Sequence, residues 1–201
     1  MIKAITFDLD GVYFPNGKAS FMLAIEKLGV TTEEAKRVFL KSDQMNQLYK
    51  NGKMTDDEFW AWAAQEWKLN KTPQELIKLL VDSYDVDENV VSIVKKVRAS
   101  GYKTLVCSNN FAARVEGLQE RFGFLNNFDA SVFSYEVGTS KPSPAIFQEL
   151  VKRSGVEAES IIFADDNPDN LAGADEISIT TFLYEGFDKF MEQLKSMGVR
   201  M

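Results

Sequence analysis

The sequence predicts an α/β protein: a parallel sheet with helices on both faces, interrupted by an all-helical insertion. Three observations carry that expectation. Short apolar runs that stop at polar clusters recur along the chain, and from Asp87 onward they alternate with helical patterns. Between the first such run and residue 87, only helical signals occur. Strands alternating with helices imply a parallel sheet, because each crossover must return to the same edge.

The first run is Ile2 to Phe7, followed by Asp8-Leu9-Asp10-Gly11-Val12 and a loop with Pro15, Asn16 and Gly17. It reads as a buried strand ending in two carboxylates. Phe21, Met22, Ile25 and Leu28 then recur at helical spacing and stop at Gly29. Thr31 with Glu34, Thr55 with Glu58, and Thr72 with Glu75 are capping boxes, and Pro73 fits the first position of its helix. Asn51-Gly52-Lys53 reads as a turn. The aromatics Phe59, Trp60, Trp62 and Trp67 have the spacing of helix packing. Residues 15–86 are therefore expected to be a helical unit, with residues 1–14 and 87–201 forming the α/β core and the hinges near Val12–Lys18 and Ser83–Glu88.

In the core, Val90 to Val97 predict a helix ending at Gly101, and Lys103 to Cys107 a strand before Ser108-Asn109-Asn110. A helix carrying Val115, Leu118 and Phe122 closes at Gly123. A strand over Ala130 to Phe133 leads to Gly138-Thr139-Ser140-Lys141-Pro142-Ser143-Pro144, with Ser143 as cap of the following helix. Ser160 to Ala164 is the next strand, ending in Asp165-Asp166-Asn167. A short helix opened by Pro168, a strand over Ser178 to Leu183 and a helix from about Asp188 complete the chain.

Composition narrows the function. Lys and Arg total 23 against 30 for Asp and Glu, a net charge of −7, which argues against nucleic acid or an anionic membrane as partner. A single cysteine, Cys107, excludes an internal disulfide and fits a buried apolar filler. With no membrane-length apolar run and a strand beginning at the first residues, a cytoplasmic location is expected. The absence of histidine excludes Ser-His-Asp and Cys-His catalysis and any His-built zinc site.

Ligands of parallel sheets bind beyond the carboxyl ends of the strands, so Asp8/Asp10, Ser108/Asn109, Lys141 and Asp165/Asp166 are expected to converge. Singly, each has a plain structural reading. Ser108 or Asn109 would cap the next helix, Lys141 would be a solvated lysine, and Asp165 and Asp166 would be helix-start acids. Together they place four carboxylates near one point, which calls for a hard divalent cation such as Mg²⁺. A lysine and a hydroxyl beside that cation suit a phosphate dianion. One carboxylate of the Asp-x-Asp pair can attack phosphorus, and the other can act as general acid and base without a histidine.

Asp8-Leu9-Asp10-Gly11-Val12, Ser108-Asn109, Lys141-Pro142 and Asp165-Asp166-Asn167 resemble, in order and separation, the four motifs of the haloacid dehalogenase (HAD) superfamily. The match is to the branch with a helical cap between the first and second motifs, around a Rossmann-like core. Asn51-Gly52-Lys53-Met54-Thr55 through Phe59-Trp60 also resembles caps of glucose-1-phosphatase-like members. The resemblance implies that Asp8 is nucleophile and Mg²⁺ ligand, and that Asp10 is general acid/base with its carbonyl on the metal. It further implies that Ser108 and Asn109 hold the phosphoryl group and that Lys141 steadies Asp8 and the phosphate. Asp166 would bind metal directly, with Asp165 in support and Asn170 closing the loop.

The expected activity is Mg²⁺-dependent hydrolysis of small phosphorylated metabolites through an Asp8-phosphate, by a monomer or homodimer. A sugar-phosphate mutase similar to β-phosphoglucomutase shares the first motif but usually carries a cap histidine, absent here. A catalytically idle binding protein on the same fold would be expected to lose a motif residue. A carbon–halogen hydrolase lacks the second aspartate, and a phosphonatase departs from Asp-x-Asp. Tyr13-Phe14-Pro15-Asn16-Gly17 departs from the commoner small, polar and acidic continuation. Tyr49, Lys50 and Lys53 are the candidates for substrate selection.

Overall fold

A computed structural model describes residues 1–200 of the chain. Strand β1 (Ala4–Phe7) is followed by helices α1 (Gly17–Glu26) and α2 (Thr32–Phe39). A π-helical turn over Gln44–Leu48 and a 3-10 turn over Tyr49–Asn51 come next, then α3 (Asp56–Glu66) and α4 (Pro73–Asp82). The alternating part comprises α5 (Glu88–Ala99), β2 (Lys103–Ser108), α6 (Ala112–Phe122), β3 (Ala130–Phe133), α7 (Ser134–Val137) and α8 (Pro144–Ser154). It continues with β4 (Ile161–Asp165), α9 (Ala172–Asp175), β5 (Thr180–Leu183) and α10 (Phe187–Ser196). The five strands form one parallel sheet in the order β3-β2-β1-β4-β5. No helix among the described residues is long and apolar enough to cross a membrane.

Side chains alternate across the strands and divide the sheet between two cores. Ile5, Phe7, Val106, Ile162 and Ala164 face a cluster that includes α5, α6 and α10. Ala4, Leu105, Cys107, Ile161 and Phe163 face the other, under α8 and α9. The helical insertion joins the first cluster. Its own centre is aromatic: Phe21 meets Phe39 at 4.7 Å and Trp60 at 5.9 Å between ring centroids. Tyr49 is stacked between Phe59 (4.3 Å) and Phe111 (4.4 Å), and Phe111 belongs to the α/β part.

All three capping boxes form with both arms, and Ser143 caps α8 with Pro144 as its first residue. Three boundaries differ from the sequence expectation. Helix α1 stops at Glu26, before Leu28, where the chain tightens into turns closing on Ile25 and Glu26. The helix expected from Pro168 splits into a 3-10 turn (Pro168–Asn170) and α9. Strand β5 begins at Thr180 because Ser178 adopts a positive φ of 68°, which cannot join a ladder.

Removing the insertion's central indole tests whether this aromatic cluster is a true core. Trp60 is fully buried and its indole N–H donates to the Tyr49 hydroxyl at 2.9 Å. Trp60→Ala is expected to cost about 3–5 kcal/mol in urea unfolding followed by circular dichroism. A loss below about 1 kcal/mol would contradict a packed centre at this position.

Candidate active site

The order of the sheet creates the site. The chain winds outward from β1 through β2 to β3, then crosses back to build β4 and β5 on the other side. The crevice at this reversal lies beyond the carboxyl end of β1. Phe7 is level with Val106 on β2 and with Ala164 on β4, and the Asp8 N–H donates to the Ala164 carbonyl at 3.1 Å. Asp8, Ser108 and Asp165 are therefore delivered side by side. Past β1 the chain turns sharply: Phe14 N–H returns to the Leu9 carbonyl at 2.7 Å, and Gly11 has φ +79°. A β-carbon on Gly11 would sit 2.0 Å from Asp166 Oδ2. Glycine thus lets the Asp-x-Asp loop lie against the acids following β4.

Lys141, in the loop between α7 and α8, closes the cluster. Its ammonium donates to Asp8 Oδ1 (2.9 Å), the Cys107 carbonyl (2.9 Å) and Asp165 Oδ2 (2.5 Å). Burial alone would favour its neutral form, but Asp8 and Asp165 outweigh burial and hold it charged. Asp8 moves the other way. Burial raises its pKa, Lys141 opposes, and Asp165 and Asp10 add to the rise, leaving it above the ordinary carboxylate range. Asn109 clips the Lys141 backbone from both sides, accepting its N–H at 2.7 Å and donating to its carbonyl at 3.0 Å. The Asn109 side chain, expected to hold phosphate, is thus engaged in holding the lysine loop. Neither Ser108 nor Asn109 caps α6, whose N-cap is Phe111. Ser108 Oγ is buried and has no partner, an unsatisfied hydroxyl at the end of β2.

Asp165, the last residue of β4, and Asp166 after it are in different circumstances. Asp165 is fully buried and saturated: besides Lys141 it accepts from the Asn167 N–H (2.9 Å) and from the Asn170 amide on both oxygens (3.0 and 3.1 Å). Asp166 is exposed, and among the described residues no protein donor reaches its carboxylate. Its pKa is raised by burial and by Asp165. Asp8, Asp165 and Asp166 each present an oxygen within 4.8 Å of the others. With Asp165 occupied, Asp8 Oδ2 and Asp166 are the oxygens available to a cation. An all-oxygen donor set fits a hard cation such as Mg²⁺.

Asp10 has surroundings that the sequence did not announce. Arg114 on α6 donates to its Oδ2 at 2.7 Å, Lys18 on α1 reaches the same oxygen at 3.2 Å, and the Tyr84 hydroxyl donates to Oδ1 at 3.2 Å. Burial would raise its pKa, but Arg114 and Lys18 prevail and bring it down to about 2. Arg114, Lys18 and Tyr84 were missed because each is an ordinary helix or hinge residue in sequence. A buried arginine on an otherwise apolar face of α6 is the one signal that could have been read.

These groups line a polar cavity of about 390 Å³ containing Asp8, Asp10, Lys18, Lys50, Lys141 and Asp166. A second cavity of about 370 Å³ shares Asn46, Lys50, Asn109 and Lys141 with it and extends past Gln47, Asn51, Thr139 and Ser140. Of the three residues expected to select substrate, only Lys50 lines either cavity. It lies on the 3-10 turn that follows the π-helical turn and donates to Asn46 Oδ1 at 3.1 Å. Burial, then the charges of Lys18 and Arg114, lower its pKa to about 7. Tyr49 is spent in the aromatic stack and bonded to Asp56, and Lys53 is exposed. Cys107 is buried with its thiol pushed up to about 12, too high to serve as a nucleophile.

Comparison with known proteins places the chain in a family. The chain is similar to the D-ribitol-5-phosphate phosphatase of Bacteroides thetaiotaomicron, with 25% identity over 96% of this chain and 97% of the other. It is 22% identical to the glyceraldehyde 3-phosphate phosphatase of Methanopyrus kandleri, over 90% and 83% of the two chains. A HAD family enzyme from B. thetaiotaomicron, crystallised as an aspartate-to-alanine variant with magnesium and inorganic phosphate, superposes with a TM-score of 0.78. That match has 20% identity and covers 94% and 99% of the two chains. The family model of the haloacid dehalogenase-like hydrolases matches residues 2–178, and the chain belongs to that family.

Proposed function

We propose that this protein is a Mg²⁺-dependent phosphatase that hydrolyses small phosphorylated metabolites of the cytoplasm through an aspartyl-phosphate on Asp8. The observation that carries the reading is the Asp8 carboxylate itself. One oxygen is pinned by Lys141, and the other is free beside the exposed Asp166 and on the wall of a polar cavity. Asp8 and Asp166, with the Asp10 carbonyl, would hold Mg²⁺, which when bound supplies the positive charge that draws in the phosphate dianion.

Asp8 attacks phosphorus and forms the Asp8–phosphorus bond while the bond to the leaving oxygen breaks. Asp10 gives its proton to that oxygen, then takes one from the water that attacks phosphorus, and inorganic phosphate leaves Asp8. The second role needs Asp10 as an anion, the form that Arg114 and Lys18 favour. For the first it must carry a proton, and a phosphate dianion arriving beside it favours that form. The unpartnered Ser108 hydroxyl supplies a donor for a phosphoryl oxygen, and Lys141, whose three donors are engaged, supplies positive charge beside it.

We take the helical insertion, residues 15–86, as a cap over the site. Its turn rests on the core through the Ser134 hydroxyl, which donates to the Lys50 carbonyl at 2.5 Å, and through Ser140 Oγ, which donates to Asn51 at 2.7 Å. The second cavity then receives the leaving group. Amides, hydroxyls and lysines line it, with neither carboxylate nor aromatic ring, so it suits a short, hydroxylated leaving group. The sugar-derived substrates in the names of the two phosphatase relatives support the same class.

Asp8→Asn is expected to lower Mg²⁺-dependent phosphate release by at least about a thousandfold, with little change in melting temperature. Full activity in that variant would sink the mechanism. Against a panel of esters, short polyol and sugar phosphates should exceed nucleotides in kcat/KM, and the reverse order would contradict the assignment of the second cavity. Gly11→Ala should push Asp166 aside and weaken Mg²⁺ binding at least about tenfold by calorimetry. An unchanged affinity would remove Asp166 from the metal site.

A further inference from the structure

Arg114 is 1% exposed and lines neither cavity, yet each of its three guanidinium nitrogens has a partner. Besides Asp10 it donates to Asn110 Oδ1 (2.7 Å) and to the Tyr84 hydroxyl (2.9 Å), and it lies 4.7 Å over the Phe111 ring. Tyr84 passes the contact on by donating to the other oxygen of Asp10. Both carboxylate oxygens are therefore gripped from behind the cavity, in a closed triangle of Arg114, Tyr84 and Asp10. A carboxylate on a mobile loop could turn through many orientations, and two fixed donors leave it one.

Tyr84 also belongs to the second chain crossing between the insertion and the core, and it packs on the first. Its ring lies 5.9 Å from that of Phe14, and a β-carbon on Gly17 would sit 2.2 Å from it. The neighbouring crossing bond runs from the Asp87 N–H to the Tyr13 carbonyl at 3.0 Å. The geometry points to Arg114 and Tyr84 as positioning residues for proton transfer at Asp10, fixing its carboxylate toward the leaving oxygen, Arg114 from α6 of the core and Tyr84 from the hinge of the insertion. This rests on the phosphatase reading of the site. A buried ion pair kept only for folding would show the same distances, so the test must separate the two.

The test compares kcat/KM for glycerol 1-phosphate, whose alkoxide must be protonated to leave, and for p-nitrophenyl phosphate, whose phenolate leaves without a proton. This ratio reports the steps up to departure of the leaving group. In Arg114→Lys and in Tyr84→Phe, kcat/KM for the alkyl ester should fall about tenfold or more, and for the aryl ester less than about threefold. Mixing the same variants with the aryl ester should also give a burst of about one nitrophenolate per site, because the water attack that Asp10 assists is slowed. In an Asp10→Asn background, Arg114→Lys should produce no further change in the ratio of the two esters. Equal losses on both esters, or no loss, would overturn the inference and leave a structural pair. Tyr84→Phe keeps the ring against Gly17 and removes one hydroxyl, so the comparison stands even where Arg114→Lys does not fold. A wild-type protein releasing phosphate from neither ester overturns the phosphatase reading, and this inference with it.

Discussion

The ammonium group of Lys141 is the interaction on which the rest of the site depends. Two adjacent strands end in Asp8 and Asp165, and the sheet register forces these buried carboxylates to be neighbours. Unpaired, they would repel one another in a medium that screens poorly. Lys141 meets both and also the Cys107 carbonyl near the end of β2, which uses its three donors. The surrounding loop is built to keep it there, through the Asn109 clip and through Ser140 bonded to the insertion's Asn51. Removing the lysine would leave two buried acids without a counter-charge, so folding and chemistry share this residue.

A second buried cation gives the two aspartates of the first motif opposite characters. Asp8 faces two other carboxylates and burial, with one lysine against them, and its proton affinity rises. Asp10, two residues on, meets Arg114 and Lys18, so its proton affinity falls. Divergent environments for paired carboxylates are the usual way in which similar groups take different parts in one reaction. Here the difference comes from which helices pack beside the loop: α1 supplies Lys18 and α6 supplies Arg114.

Much of this was legible in the chain. Apolar runs ending in Asp8, Ser108 and Asp165 mark strand ends by the break in polarity alone, and Thr-x-x-Glu marks three helix starts. Lys141 was legible only as part of an ordered set, since an isolated lysine in a loop says nothing. Tyr84 and Lys18 were not legible, and Arg114 only as a charge on the apolar face of its helix, because their roles arise from the rotation of a helix about its axis and the path of a hinge. The same limit applied to Tyr49, Lys50 and Lys53, which lie within five residues of one another. A π-helical turn leading into a 3-10 turn sends Lys50 to the cavity, Tyr49 into the aromatic stack and Lys53 to solvent. Spacing could not separate them, because neither turn keeps the period of an α-helix.

Charge balance joins these pieces. Asp8, Asp10, Asp165 and Asp166 are matched by Lys18, Lys50, Lys141 and Arg114, so the protein's own groups come close to neutrality around the cavity. A divalent cation alone would leave two uncompensated positive charges there, and a phosphate dianion alone two negative ones. Bound together they restore the balance, so each should favour the other's binding. Lys50 sits at the margin of this account, with a pKa lowered to about 7 by burial and by its cationic neighbours. An approaching phosphate would oppose those neighbours and hold Lys50 in its charged form. On the proposed reading of the insertion as a cap, Lys50 on the cavity wall thereby gains its full charge when substrate is present.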